Sequence, residues 1–256
     1  MTANPNKAIY SDWYVPSQLE FAPKTPYDAR VLKSRMDLLR EHCAGKDVLD
    51  LCCGSGTFLA QLMDGVKSIA GLDFSRSLLQ AAAARAKDNP HVIGFAEGDA
   101  KSLPFKTESF DTVFSIASLY YVPDVQKAIS ETARVLRPGG VAILDLGNSR
   151  SLARLTGAAS HYFYGWAKLF AIPYGDILNA IAKAGLTIEQ HRASQILPLN
   201  GPRLVQLLLP FSTSLFKYPM GLMIGGRLLD DRISGAPGLR RLAFRHLFVL
   251  RKPDHG

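Results

Sequence analysis

The residues best placed to do chemistry are three aspartates set among glycines. Val48-Leu49-Asp50-Leu51-Cys52-Cys53-Gly54-Ser55-Gly56-Thr57 runs from an apolar stretch into a glycine turn. Glycine suits such a turn because a side chain would hold a ligand away from the backbone. Asp73 closes the next apolar run, Ala70-Gly71-Leu72-Asp73-Phe74. Its interval from the turn, roughly 20 residues, is one at which a carboxylate can take both ribose hydroxyls of a nucleoside ligand. Asp99 follows a third apolar run in Gly98-Asp99-Ala100. A glycine turn plus an acid also suits nicotinamide-binding folds, but the GxGxxG spacing of those folds is absent. No catalytic triad is apparent, so any chemistry here depends on binding and alignment of a reactive ligand.

These residues need strands to end at them and helices to follow. Short apolar runs at Asp47–Leu51, Lys67–Leu72, Val92–Ala96, Phe110–Ile116 and Gly140–Leu146 predict five strands. Helical spacing over Thr57–Met63, Arg76–Lys87 and Val125–Leu136 separates them, and strand–helix alternation argues for a parallel sheet covered on both faces. Ahead of the sheet, Tyr27–His42 places Val31, Leu32, Met36 and Leu39 on one helical face. After it, Gly175–Ala184 reads as a helix stopped by Gly185, Leu186–His191 as a sixth strand and Leu242–Leu250 as a seventh. A length of 256 residues favours one domain over two. We divide it into an N-terminal cap and helix (1–45), a cofactor-binding core (46–148), an insertion (149–173) and a second insertion (193–240), both expected to be helical.

Three further segments narrow the fold. Gly98-Asp99-Ala100 after the third strand, Ser109-Phe110-Asp111-Thr112-Val113 opening the fourth, and Ala133-Arg134-Val135-Leu136-Arg137-Pro138-Gly139-Gly140 leading into the fifth stand in a fixed order behind the glycine turn. Together they resemble class I S-adenosylmethionine-dependent methyltransferases, in particular the subgroup of small-molecule and quinone methyltransferases, over roughly Tyr27 to Leu146. The resemblance implies a doubly wound α/β fold, a mostly parallel seven-stranded Rossmann-like sheet whose last strand runs antiparallel beside the fifth. It implies S-adenosyl-L-methionine as cofactor, with Asp50, Cys52, Gly54 and Gly56 around its methionine part and Asp73 and Phe74 at the ribose. Asp99 and Ala100 would meet the adenine, and Ser115 and Ile116 the sulfonium side. The family usually has glycine where this chain has Cys52. A backbone torsion open only to glycine would exclude cysteine there; a small apolar packing residue is the simpler reading of Cys52–Cys53 than a vicinal disulfide or metal site, and no metal is expected.

The acceptor side is less legible. Tyr120 and Tyr121 follow the fourth strand, where such enzymes often face the acceptor, and Asn148 follows the fifth. His161, with Tyr162, Tyr164 and Trp166, lies in the first insertion, and Tyr10, Trp13 and Tyr14 lie near the N-terminus. His161, Tyr120 and Tyr121 are the candidates for proton transfer, each weighed against plain packing. The expected activity is methyl transfer to a small apolar or aromatic acceptor, a quinone or other lipophilic metabolite. Other chemistry on the same cofactor, or a non-catalytic cofactor-binding or partner subunit, stays open.

Hydrophobic residues at 47% and charged residues at 20% exclude a disordered chain. The net charge of +8 falls wholly between Arg192 and Lys252, where Arg192, Arg203, Lys217, Arg227, Arg232, Arg240, Arg241, Arg245, Arg251 and Lys252 face only Asp230 and Asp231. Leu204–Met223 among these arginines either walls the acceptor pocket or lies on an anionic membrane. Nucleic acid is not expected, since the basic residues alternate with Leu, Phe and Met and no recognition motif accompanies them. Pro210, Lys217 and Pro219 break that segment as a membrane span, the N-terminal stretch has no apolar leader core, and three cysteines make no disulfide framework. We therefore expect a cytoplasmic protein able to associate with membrane. Oligomeric state has no sequence signature.

Overall fold

The computed structural model describes residues 6, 23, 25–155, 168–196 and 219–254. Helix α1, Pro26–Cys43, starts where Thr25 accepts the Asp28 N–H and Pro26 occupies the first turn. Strand β1 (Asp47–Leu51) follows, then α2 (Leu59–Leu62), β2 (Ser68–Asp73), α3 (Arg76–Arg85) and β3 (Val92–Glu97). The chain continues through β4 (Phe110–Ser115), α4 (Val125–Val135), β5 (Leu136–Gly147), α5 (Leu152–Leu155), α6 (Tyr174–Lys183) and β6 (Thr187–Ser194). Strands β7 (Met223–Ile224) and β8 (Arg227–Leu228), helix α7 (Leu229–Gly235) and strand β9 (Arg245–Arg251) complete it.

Seven strands form one sheet in the order β3-β2-β1-β4-β5-β9-β6. The pairs β1–β2, β1–β4, β2–β3 and β4–β5 are parallel, and β9 runs antiparallel to both β5 and β6. The doubly wound arrangement, with its antiparallel last strand beside β5, is the one expected. Helix α1 covers one face, where Met36, Leu39, Leu59, Phe114 and Ile143 share a core. Helices α4 and α6 cover the other, where Ile129, Ile177, Leu49, Leu144 and Phe248 meet. Strands buried on both faces explain the near-continuous apolar runs of β1, β4 and β5.

Several boundaries move for physical reasons. Helix α2 begins at Leu59 instead of Thr57, because Gly54 and Gly56 carry the chain through turns at φ 53° and 74° before helical bonding starts. Strand β5 begins at Leu136, well before Gly140: Leu136 pairs with Phe110, and the ladder resumes at Thr112 with Val141 after a bulge holding Gly139 at φ 70°. Strand β6 extends to Ser194 and is largely exposed along its outer edge, so its apolar signal is weak. Residue 193 is therefore strand, not insertion. The second insertion carries helix α7 as expected, and ahead of it Met223–Leu228 adds a two-stranded hairpin. Gly225 and Gly226 turn it with φ 54° and 75°, both left-handed, as a two-residue hairpin turn requires. Among the described residues no helix is long and apolar enough to cross a membrane.

Candidate active site at the carboxyl ends of the parallel strands

Strands β1, β2 and β3 end side by side, with Asp50 paired to Gly71 and Asp73 to Glu97 in the register. A crevice at the carboxyl ends of parallel strands is where open α/β sheets take ligands. Asp50 is 3% and Asp73 4% exposed. Asp73 accepts the Gly54 N–H on one oxygen and the Ser75 N–H on the other, both at 2.9 Å. Burial pushes the Asp73 carboxyl up to about 6, against the pull of those backbone donors. Burial, and then the Asp73 charge, raise Asp50 well above the usual carboxylate range, opposed by the Leu59 backbone N–H. Among the described residues, the Oδ2 atom of Asp50 is buried without a hydrogen-bond partner. A pair of buried acids with an unfilled acceptor is costly alone, and a ligand bringing N–H and O–H donors relieves it.

The turn between β1 and α2 is shaped by close approaches. The Cys53 N–H donates to the Leu72 carbonyl at 2.9 Å, and its Sγ lies 2.9 Å from where a Cβ on Gly71 would sit. A Cβ on Gly56 would come within 3.0 Å of Ala82 in α3. Cys52 adopts φ 62°. This torsion lies in the left-handed region that glycine favours but other residues reach at a cost of about 1–2 kcal/mol, so cysteine is accommodated under strain. All three cysteines are free thiols. Cys52→Gly removes that strain but adds chain entropy to the unfolded state, so its urea midpoint is expected to stay within about 1 kcal/mol of wild type. Cys52→Val places a β-branched residue at positive φ and is expected to lose at least about 1–2 kcal/mol. A valine variant as stable as wild type would show that the turn does not require this torsion.

The neighbouring loops close on the same point. The Gly98 N–H donates to the Asp73 carbonyl at 3.0 Å, tying the Asp99 loop to β2. Asp99 is half exposed and accepts the Lys101 N–H at 2.9 Å, while Ala100 is buried beside it. Phe74, half-buried, follows Asp73 directly. At the end of β4, Ser115 and Ile116 are buried. The Ser118 hydroxyl donates toward the Cys52 carbonyl at 3.4 Å, joining the β4 loop to the β1 turn. All ten residues expected at the cofactor thus lie on four adjacent strand ends.

The acceptor-side candidates fare differently. The Tyr120 ring packs against Phe244 and Tyr121 with centroids 5.5 and 4.8 Å away, and the Arg245 guanidinium lies 5.5 Å from its centroid. Burial raises its hydroxyl, which poorly suits it to take a proton. Tyr121 is half-buried, and its carbonyl accepts from Asn6 at 3.2 Å. Asn148 faces inward as a latch: fully buried, it donates to the Arg241 and Ala243 carbonyls and accepts the Arg150 N–H. His161, Tyr162, Tyr164, Trp166, Tyr10, Trp13 and Tyr14 lie outside the described residues.

Sequence reasoning missed a charged group in this region. Asp145, with no exposed side chain, sits in the apolar run of β5 and binds Arg245 of β9 through two contacts, one from Nε at 3.2 Å and one from Nη2. Arg35 of α1 lies 3.5 Å from the same carboxylate. The signals were an acid inside Val141–Leu146 and an arginine four residues from both Val31 and Leu39 on the inward helical face. The basic excess of the C-terminal quarter is also partly internal, since Arg245 pairs with Asp145, Arg251 with Glu189 and Lys252 with Glu108.

Comparison with known proteins places this arrangement among methyltransferases. Residues 49–144 match the methyltransferase domain family. The chain is 36% identical over 126 residues to demethylmenaquinone methyltransferase of Lactococcus lactis, an alignment spanning 48% of each protein, so it covers about half of that relative's length. It is 34% identical over 171 residues to 2-phytyl-1,4-naphtoquinone methyltransferase of Synechococcus elongatus, covering 57% of this chain and 73% of the relative. In fold it is similar to a chain from the complex of the Haloferax volcanii Trm112 methyltransferase activator with a methyltransferase, with a TM-score of 0.63, 20% identity and full coverage of both chains.

Proposed function

The chain belongs to the class I S-adenosylmethionine-dependent methyltransferases, and on that premise we propose that it methylates a quinone-type acceptor, a lipophilic ring bound in its reduced, hydroxylated form. The observation that carries the reading is the pair of buried carboxylates, Asp50 and Asp73, with an unfilled acceptor oxygen at the strand ends. S-Adenosylmethionine offers the matching donors, an α-ammonium group and two vicinal ribose hydroxyls. Asp50, with Cys52, Gly54 and Gly56, would hold the methionine part, and Asp73 with Phe74 the ribose. Asp99 and Ala100 would meet the adenine, and Ser115 and Ile116 would border the sulfonium. The names of the quinone-methylating relatives support the acceptor class.

When bound, the cofactor supplies an electrophilic methyl carbon on a good leaving group. The chain's own task is alignment and exclusion of water. Alignment alone contributes about 7–11 kcal/mol in favourable cases. Ser115 and Ile116, both buried, would give the methyl end a dry wall. Calorimetry with S-adenosylhomocysteine and with NAD tests the cofactor, and anaerobic turnover tests the reaction. Binding of the first alone, with S-adenosylhomocysteine released only when a reduced naphthoquinone is present, is the expected result. No binding of S-adenosylhomocysteine would overturn the reading.

A lipophilic acceptor calls for access to a bilayer. Leu222, Met223 and Ile224 are 53%, 50% and 46% exposed at the β7–β8 hairpin, and Arg227 and Arg232 sit beside them. Apolar tips among arginines suit contact with anionic headgroups. Co-sedimentation with phosphatidylglycerol vesicles, weakened by high salt and by Ile224→Glu, is expected. Equal sedimentation with phosphatidylcholine vesicles would remove the anionic headgroups from the account, and no sedimentation with either would remove membrane contact.

A further inference from the structure

Asp145 is an acid near the end of a buried strand, and its contacts reach the candidate site. It stands one residue beyond Leu144, which pairs with Ser115 at the end of β4. Its carboxylate is fully buried and takes both Nε and Nη2 of Arg245. The Oδ2 atom also accepts the Ala117 N–H at 3.3 Å. Neutralising Arg245 requires no contact with Ala117. That further contact falls on the loop that leaves β4 beside the cofactor turn.

The loop is held in a conformation that its residue type disfavours. Ala117 has φ 62°, a left-handed torsion that alanine reaches only at a cost. A fixed acceptor for its N–H favours that torsion over the relaxed ones, and Asp145 is that acceptor. One residue on, the Ser118 hydroxyl donates to the Ile116 carbonyl at 3.1 Å and toward the Cys52 carbonyl at 3.4 Å. Cys52 itself stands at φ 62° in the turn after β1. Two left-handed turns, one after β1 and one after β4, are thus joined through Ser118, and Asp145 anchors the second. Further along the same loop, the Arg245 guanidinium lies 5.5 Å from the Tyr120 ring centroid, so one ion pair braces both ends. Ser115 and Ile116, expected to border the sulfonium, immediately precede the anchored residue.

We propose that Asp145 is a positioning residue for methyl transfer: by holding the Ala117 N–H it fixes the β4 loop, and with it the line from methyl carbon to acceptor. The proposal rests on the methyltransferase reading of the Asp50–Asp73 site. Asp145 acts through Ala117 and not by contact with the reacting atoms. Transfer from a sulfonium depends on alignment, and a displacement of about 1 Å can cost about a hundredfold in rate. Loss of the anchor therefore slows transfer while cofactor affinity, assigned to Asp50 and Asp73, stays in place.

Anaerobic single-turnover methylation of a reduced naphthoquinone, beside calorimetry with S-adenosylhomocysteine, tests this. Both are read in an Arg245→Met background, where loss of the carboxylate no longer strands two neighbouring cations. Against that reference, Asp145→Leu offers Ala117 no acceptor and is expected to slow transfer by about 10- to 100-fold, with S-adenosylhomocysteine affinity unchanged. Asp145→Asn is equally neutral but keeps an oxygen for the Ala117 N–H, and is expected to recover about tenfold. Adding Ala117→Gly to Asp145→Leu should also recover about tenfold, because glycine takes the left-handed torsion unaided. Equal rates with Asp145→Leu and Asp145→Asn overturn the proposal, as does a rate loss matched by a loss of S-adenosylhomocysteine affinity. Where Asp145→Leu fails to fold, Ala117→Val in the otherwise wild-type chain decides. Its β-branched side chain opposes the same torsion and is expected to slow transfer at least about tenfold, and an unchanged rate overturns the proposal. A wild type that binds no S-adenosylhomocysteine, or binds it without methylating the ring, overturns the reading beneath the proposal and the proposal with it.

Discussion

Asp73→Ala is expected to weaken S-adenosylhomocysteine binding by about 100- to 1,000-fold, read by calorimetry. In the proposed site the variant would lose two charge-assisted hydrogen bonds to the ribose hydroxyls, at about 1.5–3 kcal/mol each, with partial compensation from water. The same carboxylate gives the interaction a pH dependence. Its pKa in the free protein is raised by burial to about 6, so the proton competes with the ligand below that value. Wild-type affinity is expected to be flat above pH 7 and to fall by about tenfold per unit below pH 6. Asp73→Asn, which cannot titrate at that position, should bind more weakly and lose the part of the pH dependence that Asp73 contributes. The sign for stability is opposite. A folded-state pKa above the unfolded value means that the ionised side chain opposes folding at neutral pH, and that this cost fades as pH falls from 6 to 4. The urea midpoint of Asp73→Asn at pH 7 is therefore expected to be no lower than wild type. An alanine variant that binds as tightly as wild type would remove Asp73 from the site.

The second large effect concerns folding. Asp145→Leu is expected to destabilise the protein by about 3–5 kcal/mol, because it leaves Arg35 and Arg245 as neighbouring cations in the interior. Total stabilities of about 5–15 kcal/mol make that a severe loss. Pairing the change with Arg245→Met should recover much of it, since the second variant removes one of the stranded charges and keeps the volume apolar. Urea unfolding of the two single variants and the double variant measures the coupling. A single-variant loss below about 1 kcal/mol would show that water reaches the pair and that its burial is incidental.

The parts of this fold legible in the sequence are those where local and tertiary preferences agree. Strands β1, β4 and β5 are buried on both faces, so they read as apolar runs, and the acids Asp50 and Asp73 stand out because they end such runs. Boundaries moved where single backbone torsions decide them: Gly54 and Gly56 delay α2, and the Gly139 bulge advances β5. Cys52 occupies a torsion that its residue type alone argued against. The Arg35–Asp145–Arg245 group was hidden because its members lie on α1, β5 and β9, and an isolated arginine in a helix reads as a solvated side chain until the facing carboxylate is known. Asn148 illustrates the reverse, a polar residue at a strand end that serves backbone carbonyls of a distant loop.

The central claim is methyl transfer from a cofactor held by Asp50 and Asp73 to a hydroxylated ring. Its most direct test is anaerobic incubation with S-adenosylmethionine labelled by a trideuterated methyl group and with a reduced naphthoquinone, followed by mass spectrometry of the ring product. The account predicts a product carrying all three deuterons, absent with Asp73→Ala. A wild-type protein that binds S-adenosylhomocysteine yet leaves the ring unlabelled would contradict it.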